Sequence, residues 1–372
     1  MAARAQLNYA TPYTFTTLAG EAGAAGSSDG IGKAARFNGP NGVAVDTAGN
    51  VYVADLGNDT IRKVTPTGTV TTLAGLAGTP GAADGQGTSA RFLHPSGLTV
   101  GPMGNIYVAD SGNHTIRLVT PAGKVTTLAG VAGSPGNTDG PTNVAQFCDP
   151  RDVAVDRAGN VYVADTANHR IRKISTTGTV MTLAGPTGGP WDKVGWTDGA
   201  GGAVRFNYPW SVAVDPAGNV FVADRDNDTI RKVTPAGVVT TFAGTAQVGW
   251  TTKPGEPTHH YRLPSRDGTG TAVQFGAPSG VALDQAGNLF MTDQAHGTIR
   301  KVTPAGVVTT LAGAADIVGS ADGTGSAAQF DMPNGVAVDG AGNVYVADPR
   351  SHTIRKGVPS KAGASTEKPA NP

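Results

Sequence analysis

The 372-residue chain has little of several features that mark particular classes of protein. Its single cysteine, Cys148, excludes an intramolecular disulfide. Lys plus Arg (28) balance Asp plus Glu (28) and no basic cluster occurs, so the electrostatic footprint of a nucleic-acid-binding protein is absent. No apolar run approaches the roughly 18 residues of a membrane-spanning helix, and helical periodicity is nowhere sustained. We therefore expect neither nucleic-acid binding nor membrane insertion.

The two ends of the chain suggest processing and a linker. The chain starts MAARAQ, in which Ala3, Arg4 and Ala5 have the small-x-small form of a signal-peptidase site. We expect residues 1–12 to be a leader remnant and the protein to be secreted or periplasmic. Residues 357–372, GVPSKAGASTEKPANP, have the composition of a disordered tail.

Glycine (54) and proline (25) are abundant, and they recur at fixed distances beside short apolar segments. Each recurring unit reads as four strands, represented in the first copy by GVAVD, NVYVAD, TIRKV and TVTTLAG. The first two strands are apolar at almost every position, as in a sheet covered on both faces. The pattern predicts an all-β chain with one six-bladed β-propeller over residues 13–356. The units align on a Gly-Asn turn at Asn50, Asn105, Asn160, Asn219, Asn288 and Asn343.

The last unit lacks its fourth strand, and the missing strand is found at the other end of the chain. After TIRK at residues 353–356 no VTTLAG segment follows, whereas YTFTTLAG at residues 13–20 matches it. We predict that the N-terminal strand completes the sixth blade and closes the ring. Closure removes the sheet edges that an open array would expose to aggregation.

The units VYVADLGNDTIRKVTPTGTVTTLAG, IYVADSGNHTIRLVTPAGKVTTLAG and VYVADTANHRIRKISTTGTVMTLAG resemble the NHL-repeat family, including a bacterial subgroup with DG…A-x-F-x-x-P spacers. The resemblance covers nearly the whole chain and implies a propeller. Similar propellers include ligand-binding sensors, adhesion domains, lyases and lactonase-like enzymes. The resemblance therefore does not select a function.

Polar groups that occur in every unit are expected to hold the blades together. An aspartate ends each second strand and an arginine lies in each third strand, a pattern typical of turn capping and inter-strand pairing. A phenylalanine before each first strand is expected to wedge between blades, and four histidines fall on different blades, which argues against a shared metal site. The aspartates and arginines are Asp55, Asp110, Asp165, Asp224, Asp293, Asp348, Arg62, Arg117, Arg172, Arg231, Arg300 and Arg355. The phenylalanines and histidines are Phe37, Phe92, Phe147, Phe206, Phe275, Phe330, His114, His169, His296 and His352.

Residues that break the repeat cluster before the first strands, on the face where one blade crosses to the next. Ring geometry places these segments beside the mouth of the central channel. Two long crossing loops, residues 186–198 and 245–267, add aromatic side chains to the same face. Aromatic side chains with a few convergent polar groups are typical of ligand-binding sites. The candidate ligand-binding residues are His94, Asp149, Arg151, Asp152, Tyr208, Trp210, Asp331, Trp191, Trp196, Trp250 and Tyr261.

Two structural interpretations compete with this site. Arg151 and Asp152 replace a glycine turn and could form a salt bridge with each other. The aromatic residues of the two long loops could pack into a small satellite core above the propeller.

Three functions remain open from the sequence. The first is ligand binding by a monomer at the channel mouth, with a small molecule, carbohydrate or protein as the partner. The second is a metal-assisted lyase or hydrolase, with a divalent metal ion as the possible cofactor. In that case His94, Asp149, Asp152, Tyr208 and Asp331 would supply ligands or acid and base groups. Known catalytic spacings such as HExxH or GxSxG do not occur in a suitable context. The third is a scaffold that presents a flat face to other proteins.

Overall fold

The computed structural model describes residues 7–9, 11–186, 194–246 and 263–360. Within these residues the chain forms six antiparallel sheets, each of five strands. The first strand of each sheet packs against the first strands of the two neighbouring sheets, so the sheets form a closed ring around a channel. The predicted six-bladed β-propeller is confirmed. No helix in the described ranges is long and apolar enough to span a membrane.

The strands are numbered in chain order. The first eleven are β1 (Tyr13–Ala19), β2 (Gly30–Ile31), β3 (Pro40–Val45), β4 (Val51–Asp55), β5 (Thr60–Val64), β6 (Thr69–Ala74), β7 (Gly85–Gln86), β8 (Pro95–Val100), β9 (Ile106–Asp110), β10 (Thr115–Val119) and β11 (Lys124–Ala129). The next ten are β12 (Gly140–Pro141), β13 (Pro150–Val155), β14 (Val161–Asp165), β15 (Arg170–Ile174), β16 (Thr179–Ala184), β17 (Gly199–Ala200), β18 (Pro209–Val214), β19 (Val220–Asp224), β20 (Thr229–Val233) and β21 (Val238–Ala243). The last nine are β22 (Gly268–Thr269), β23 (Pro278–Leu283), β24 (Leu289–Asp293), β25 (Thr298–Val302), β26 (Val307–Ala312), β27 (Gly323–Thr324), β28 (Val336–Val338), β29 (Val344–Asp348) and β30 (Thr353–Pro359).

Short 3-10 turns interrupt the connections. They follow either the second strand of a blade or its outermost strand, and one lies in the β8–β9 turn. They are Gly32–Ala34, Leu56–Asn58, Gly87–Ser89, Pro102–Gly104, Ser111–Asn113, Thr166–Asn168, Gly201–Ala203, Arg225–Asn227, Gly270–Ala272 and Gly325–Ala327.

Blade 1 illustrates the order of strands, which is β3, β4, β5, β6 and β2 from the channel outward. The prediction of four strands missed the fifth, β2, which pairs with β6 over only two residues. Asp29, just before β2, accepts hydrogen bonds from the backbone and hydroxyl of Thr72 in β6. These hydrogen bonds hold the segment Asp29-Gly30 against the blade. A pair of residues that the sequence predicts as a turn therefore extends the sheet.

The N-terminal strand closes the ring, as predicted. Strand β1 pairs with β30 from Tyr13 opposite Pro359 to Ala19 opposite Ile354. Strand β30 continues three residues beyond the boundary at 356 that the sequence suggested, so residues 357–359 belong to the sixth blade. Phe15 is fully buried and meets the ring of Phe330 edge-on, with ring centroids 5.1 Å apart.

A buried ionic network recurs in the blades and is clearest in blade 2. Arg117 donates to Asp110 at 2.7 Å and to Asp84 at 2.8 Å, and its guanidinium lies 5.2 Å from the centre of the Phe92 ring. Asp110 also accepts the backbone N–H of Leu93 at 2.8 Å. Burial raises the pKa of Asp110 to about 6, an effect that Arg117 opposes. The network joins the second and third strands to the segment that leads into the first strand.

A second set of hydrogen bonds joins blades 1, 2, 3, 4 and 6 each to the next blade, whereas blade 5 has Gly297 at the position of the acceptor. The residue after the turn at the end of the second strand has a left-handed backbone, and its side chain accepts a backbone N–H from the following blade. His114 accepts from Asp149 at 3.2 Å, and His169 accepts from Tyr208 at 3.1 Å. Burial lowers the pKa of His169 to about 4, so it stays neutral and keeps Nδ1 as an acceptor. The other acceptors are Asp59, Asp228 and His352.

The first prediction concerns ring closure. Phe15→Ala should lower the free energy of unfolding by about 3–5 kcal/mol, because it leaves a cavity between β1 and the sixth blade. Thr16→Ala, at the exposed neighbouring position, should change it by less than about 0.5 kcal/mol. Urea unfolding of both variants provides the measurement. Equal stabilities would contradict the role of β1 as the closing strand.

The second prediction concerns the ionic network. Arg117→Met should destabilise the protein by about 3–5 kcal/mol near pH 8, because it strands the buried Asp110 carboxylate without its cation. The loss should be smaller near pH 5, since the already raised pKa of Asp110 rises further without Arg117 and a proton then neutralises the carboxylate. Chemical unfolding at the two pH values measures this, with the exposed Arg157→Met as the matched control. A loss that is independent of pH would show that packing rather than charge is responsible.

Candidate functional site

The central channel encloses about 220 Å³ and is lined by the first strands of all six blades. One end of it opens on the face where each first strand begins, which is also the face of the crossing loops and of the turns between second and third strands. We call this end the channel mouth. Six equivalent residues, each directly after the proline that starts its segment, surround it: Asn41, Ser96, Arg151, Trp210, Ser279 and Asn334.

Trp210 reaches across the channel mouth. Its indole Nε1 donates to Asn334 Oδ1 at 3.2 Å, which links blade 4 to blade 6 past blade 5. Two guanidinium carbons lie close to the centre of its ring, that of Arg151 at 4.7 Å and that of Arg225 at 4.6 Å. Such cation–π contacts hold the guanidinium groups in place. The tryptophan therefore organises two arginines at the mouth.

Both arginines are also paired with acceptors. Arg151 donates through Nε and Nη2 to Asp149 Oδ2 at 2.9 and 2.8 Å. Arg225 donates to Asp226 at 3.1 Å and to Gln294 Oε1 at 3.1 Å. The alternative interpretation, a salt bridge between Arg151 and Asp152, is wrong, because Arg151 lies against Asp149 and the indole ring instead. These pairs leave the mouth with charged groups of both signs and little net charge.

Asp152 takes part in a hydrogen-bonded relay across three blades. It accepts from the hydroxyl of Ser211 at 2.5 Å and from the N–H of Val212 at 3.1 Å. Ser211 Oγ in turn accepts the N–H of Val281 at 3.1 Å. Burial raises the pKa of Asp152 to about 7, because the hydrogen bonds only partly offset desolvation. Asp152 thus lies in the channel wall, below the groups that the arginines present at the mouth.

Three predicted residues occupy one strained position of the repeat. His94, Asp149 and Tyr208 have φ angles of 50°, 50° and 51°, in the left-handed region that non-glycine residues rarely adopt. The corresponding residue of blade 1 is Gly39. Each of the three is held by an inter-blade hydrogen bond to its N–H. Ala277 and Met332 share this conformation, with φ angles of 54° and 61°, so it belongs to the repeat and presents side chains of different chemistry at a fixed place around the mouth.

The remaining predicted residues are more scattered. Asp331 lies on the sixth blade, where its carboxylate is 3.8 Å from the exposed Arg350. Trp196 is 43% exposed. Trp191, Trp250 and Tyr261 lie outside the described residues, so the idea that the loop aromatics share the site or form a satellite core stays a prediction.

Sequence reasoning missed Arg225 and gave Asn334 too little weight. The residue that follows the second strand is Leu56, Ser111, Thr166, Arg225, Gln294 or Pro349 in the six blades, and only Arg225 among them is basic. A comparison of this position would have identified Arg225. Asn334 matches Asn41 of blade 1, so nothing in the repeat marked it. Asn334 matters because the long side chain of Trp210 spans the mouth and donates a hydrogen bond to it.

The metal-dependent alternative gains no ligand set from the described part of the chain. Among these residues no group of three or more His, Cys, Asp or Glu side chains is placed to hold a metal ion. The adjacent histidines of the second long loop, His259 and His260, lie outside the described residues. Burial and nearby carboxylates raise the pKa of the half-buried Cys148, which disfavours a thiolate nucleophile.

Comparison with known proteins supports the repeat assignment. The NHL repeat model matches residues 37–64, 92–117, 147–174, 206–233 and 330–356, in blades 1 to 4 and 6. Human NHL repeat-containing protein 2 is 27% identical over 351 residues, which cover 85% of this chain and 46% of that protein. The chain thus spans less than half the length of the first curated relatives that it matches.

Two solved structures share the fold. An auxiliary nutrient binding protein from Bacteroides ovatus has a TM-score of 0.65 at 18% identity, over 94% of this chain and 78% of that one. Virginiamycin B lyase from Staphylococcus aureus has a TM-score of 0.55 at 14% identity, over 94% of this chain and 99% of that one. At such identities the likeness concerns the fold alone. Together with the repeat matches, these observations establish that the chain is a six-bladed β-propeller of the NHL-repeat family.

Proposed function

We propose that the protein binds a carbohydrate at the channel mouth, on the surface formed by Arg151, Arg225, Asp149, Tyr208 and Trp210. The observation that carries the proposal is the pair of guanidinium groups fixed against the Trp210 indole. Blades 1 and 6 place asparagine where blades 3 and 4 place Arg151 and Trp210. These blades form the same fold without Arg151 and Trp210. We therefore infer that the two side chains serve binding.

The chemistry of the mouth favours a polyhydroxylated ligand over a strongly charged one. Arg151 and Asp149 form one ion pair, and Arg225 and Asp226 form another. Such pairs offer planar donors next to acceptors, and a sugar hydroxyl is both a donor and an acceptor. The Arg151 and Asp149 side chains are 24% and 31% exposed, so their outer atoms are open to a ligand.

Trp210 does not offer a free ring face for stacking on a sugar. Its ring is occupied by the guanidinium groups and its Nε1 by Asn334. In the proposed site it therefore supports the arginines, while Tyr208 and the exposed Trp196 are the described aromatic residues open to contact a sugar face. The fold shared with a nutrient-binding protein is consistent with this function. A secreted or periplasmic location and a monomeric state stay predictions from the sequence.

The test is a thermal-shift and calorimetric screen of glucose, galactose, mannose and glucuronate. We expect at least one sugar to raise the melting temperature of the wild type by about 2 °C at saturating concentration. The double variant Arg151→Asn, Trp210→Asn carries the residues of blades 1 and 6 and should lose this binding. Arg157→Ala, an exposed arginine in the turn on the opposite face, should keep it. Equal binding by all three proteins would place the sugar elsewhere, and no binding by the wild type would favour the scaffold function.

A further inference from the structure

The channel below the mouth has a chemical character of its own. Most of the residues that line it are Gly, Ala, Val and Leu of the first strands, and within the described residues the charged ones are Arg151 and Asp152. Arg151 directs its guanidinium to Asp149 and the Trp210 ring. Asp152 is left as the one carboxylate among the described residues that line the channel.

Asp152 has hydrogen-bond donors but no cationic partner in the described part of the chain. Its donors are the Ser211 hydroxyl and the backbone N–H groups of Val212 and Val153. No Lys, Arg or His nitrogen of the described residues lies within 4.0 Å of its carboxylate. Burial raises its pKa to about 7. A carboxylate in such surroundings is costly unless a proton or a cation neutralises it.

The fold does not require a carboxylate at this position. Four blades have a glycine there, namely Gly42, Gly97, Gly280 and Gly335, and blade 4 has Ser211. These glycines approach the backbone of the next blade so closely that an added Cβ would clash with it. Asp152 fits because residue 97 of the preceding blade is a glycine. The Oδ1 atom of Asp152 occupies the space that a side chain on residue 97 would need. The carboxylate is thus an addition to the repeat, and no cationic side chain of the described residues offsets its charge.

We propose that the channel binds a small organic ammonium ion, whose charged group pairs with Asp152 and whose apolar part packs against the valine and alanine walls. The cavity of about 220 Å³ limits the ligand to a small amine. Trp210 spans the mouth above it through its hydrogen bond to Asn334. A metal ion fits less well, because the described residues supply no cluster of three or more His, Cys, Asp or Glu ligands.

This inference is independent of the sugar proposal. The ammonium site is defined by Asp152 and the channel wall, whereas the sugar site is defined by the polar groups above Trp210. The two proposals use different probes, so each can fail while the other stands.

The experiment uses the full chain, with benzylammonium and propylammonium chloride as probes near pH 8. Isothermal titration calorimetry should detect binding to the wild type and at least a tenfold loss of affinity in Asp152→Asn. Asp152→Asn keeps the shape of the side chain and an oxygen that accepts the hydrogen bond from Ser211. Affinity for the wild type should fall as the pH is lowered from about 8 to about 5, because the raised pKa lets a proton compete for the carboxylate. The neutral analogue benzyl alcohol should bind neither protein.

Glu21→Gln serves as the matched control, because it removes one exposed carboxylate from a crossing loop. It should bind both amines like the wild type. Failure of both amines to bind the wild type, or equal affinities in the wild type and Asp152→Asn, would overturn the proposal. If calcium chloride stabilises the wild type but not Asp152→Asn, the channel holds a metal site and the amine proposal is wrong. If Asp152→Asn fails to fold, Asp152→Ser provides the same comparison.

Discussion

The buried arginine of each blade is the constraint on which the rest of the structure depends. Its guanidinium is held between a fully buried aspartate and a partly exposed one and lies against a buried phenylalanine, as Arg117 does with Asp110, Asp84 and Phe92. A charge this deep is tolerable only when it is paired with opposite charges, so the network specifies one arrangement of the strands and of the segment entering the channel. Blade 6 has a looser version, with Arg355 3.6 Å from Asp348. It is also the blade that β1 must complete.

Because the network and the inter-blade bonds fix the backbone, the side chains at the channel mouth are free to differ. Asp149 and Tyr208 adopt the same left-handed conformation as Gly39, and the N–H of each is bonded to a histidine or aspartate of the preceding blade in the ring. The ring therefore separates two tasks: repeated residues determine the fold, and residues at a few mouth positions determine what the surface can contact. Arg151, Trp210 and Asp152 occur where four blades carry only Asn or Ser followed by Gly.

The sequence predicts the propeller, the closure of its ring and the location of the channel mouth. This is possible because the same strand pattern occurs six times, whereas one copy would be a weak signal. The VYVAD and TIRK segments predict the order of the strands, and the displaced YTFTTLAG segment predicts how the ring closes. The contacts at the mouth do not follow, since they depend on long side chains that cross between blades. Nothing in the sequence shows that Arg151 turns to Asp149 rather than Asp152, or that Trp210 reaches Asn334. Non-local contacts of this kind have no periodic signature.

The central claim is that the mouth residues of blades 3 and 4 serve binding and are not needed for folding. The most direct test is the free energy of unfolding of a variant with the residues of the other blades at these positions, Arg151→Asn, Asp152→Gly, Trp210→Asn and Ser211→Gly. The account predicts a stability equal to or above that of the wild type, because the substitutions remove a costly carboxylate and restore the packing of the repeat. A loss of several kcal/mol, about the size expected for breaking a buried network, would contradict it and show that these residues hold the ring together.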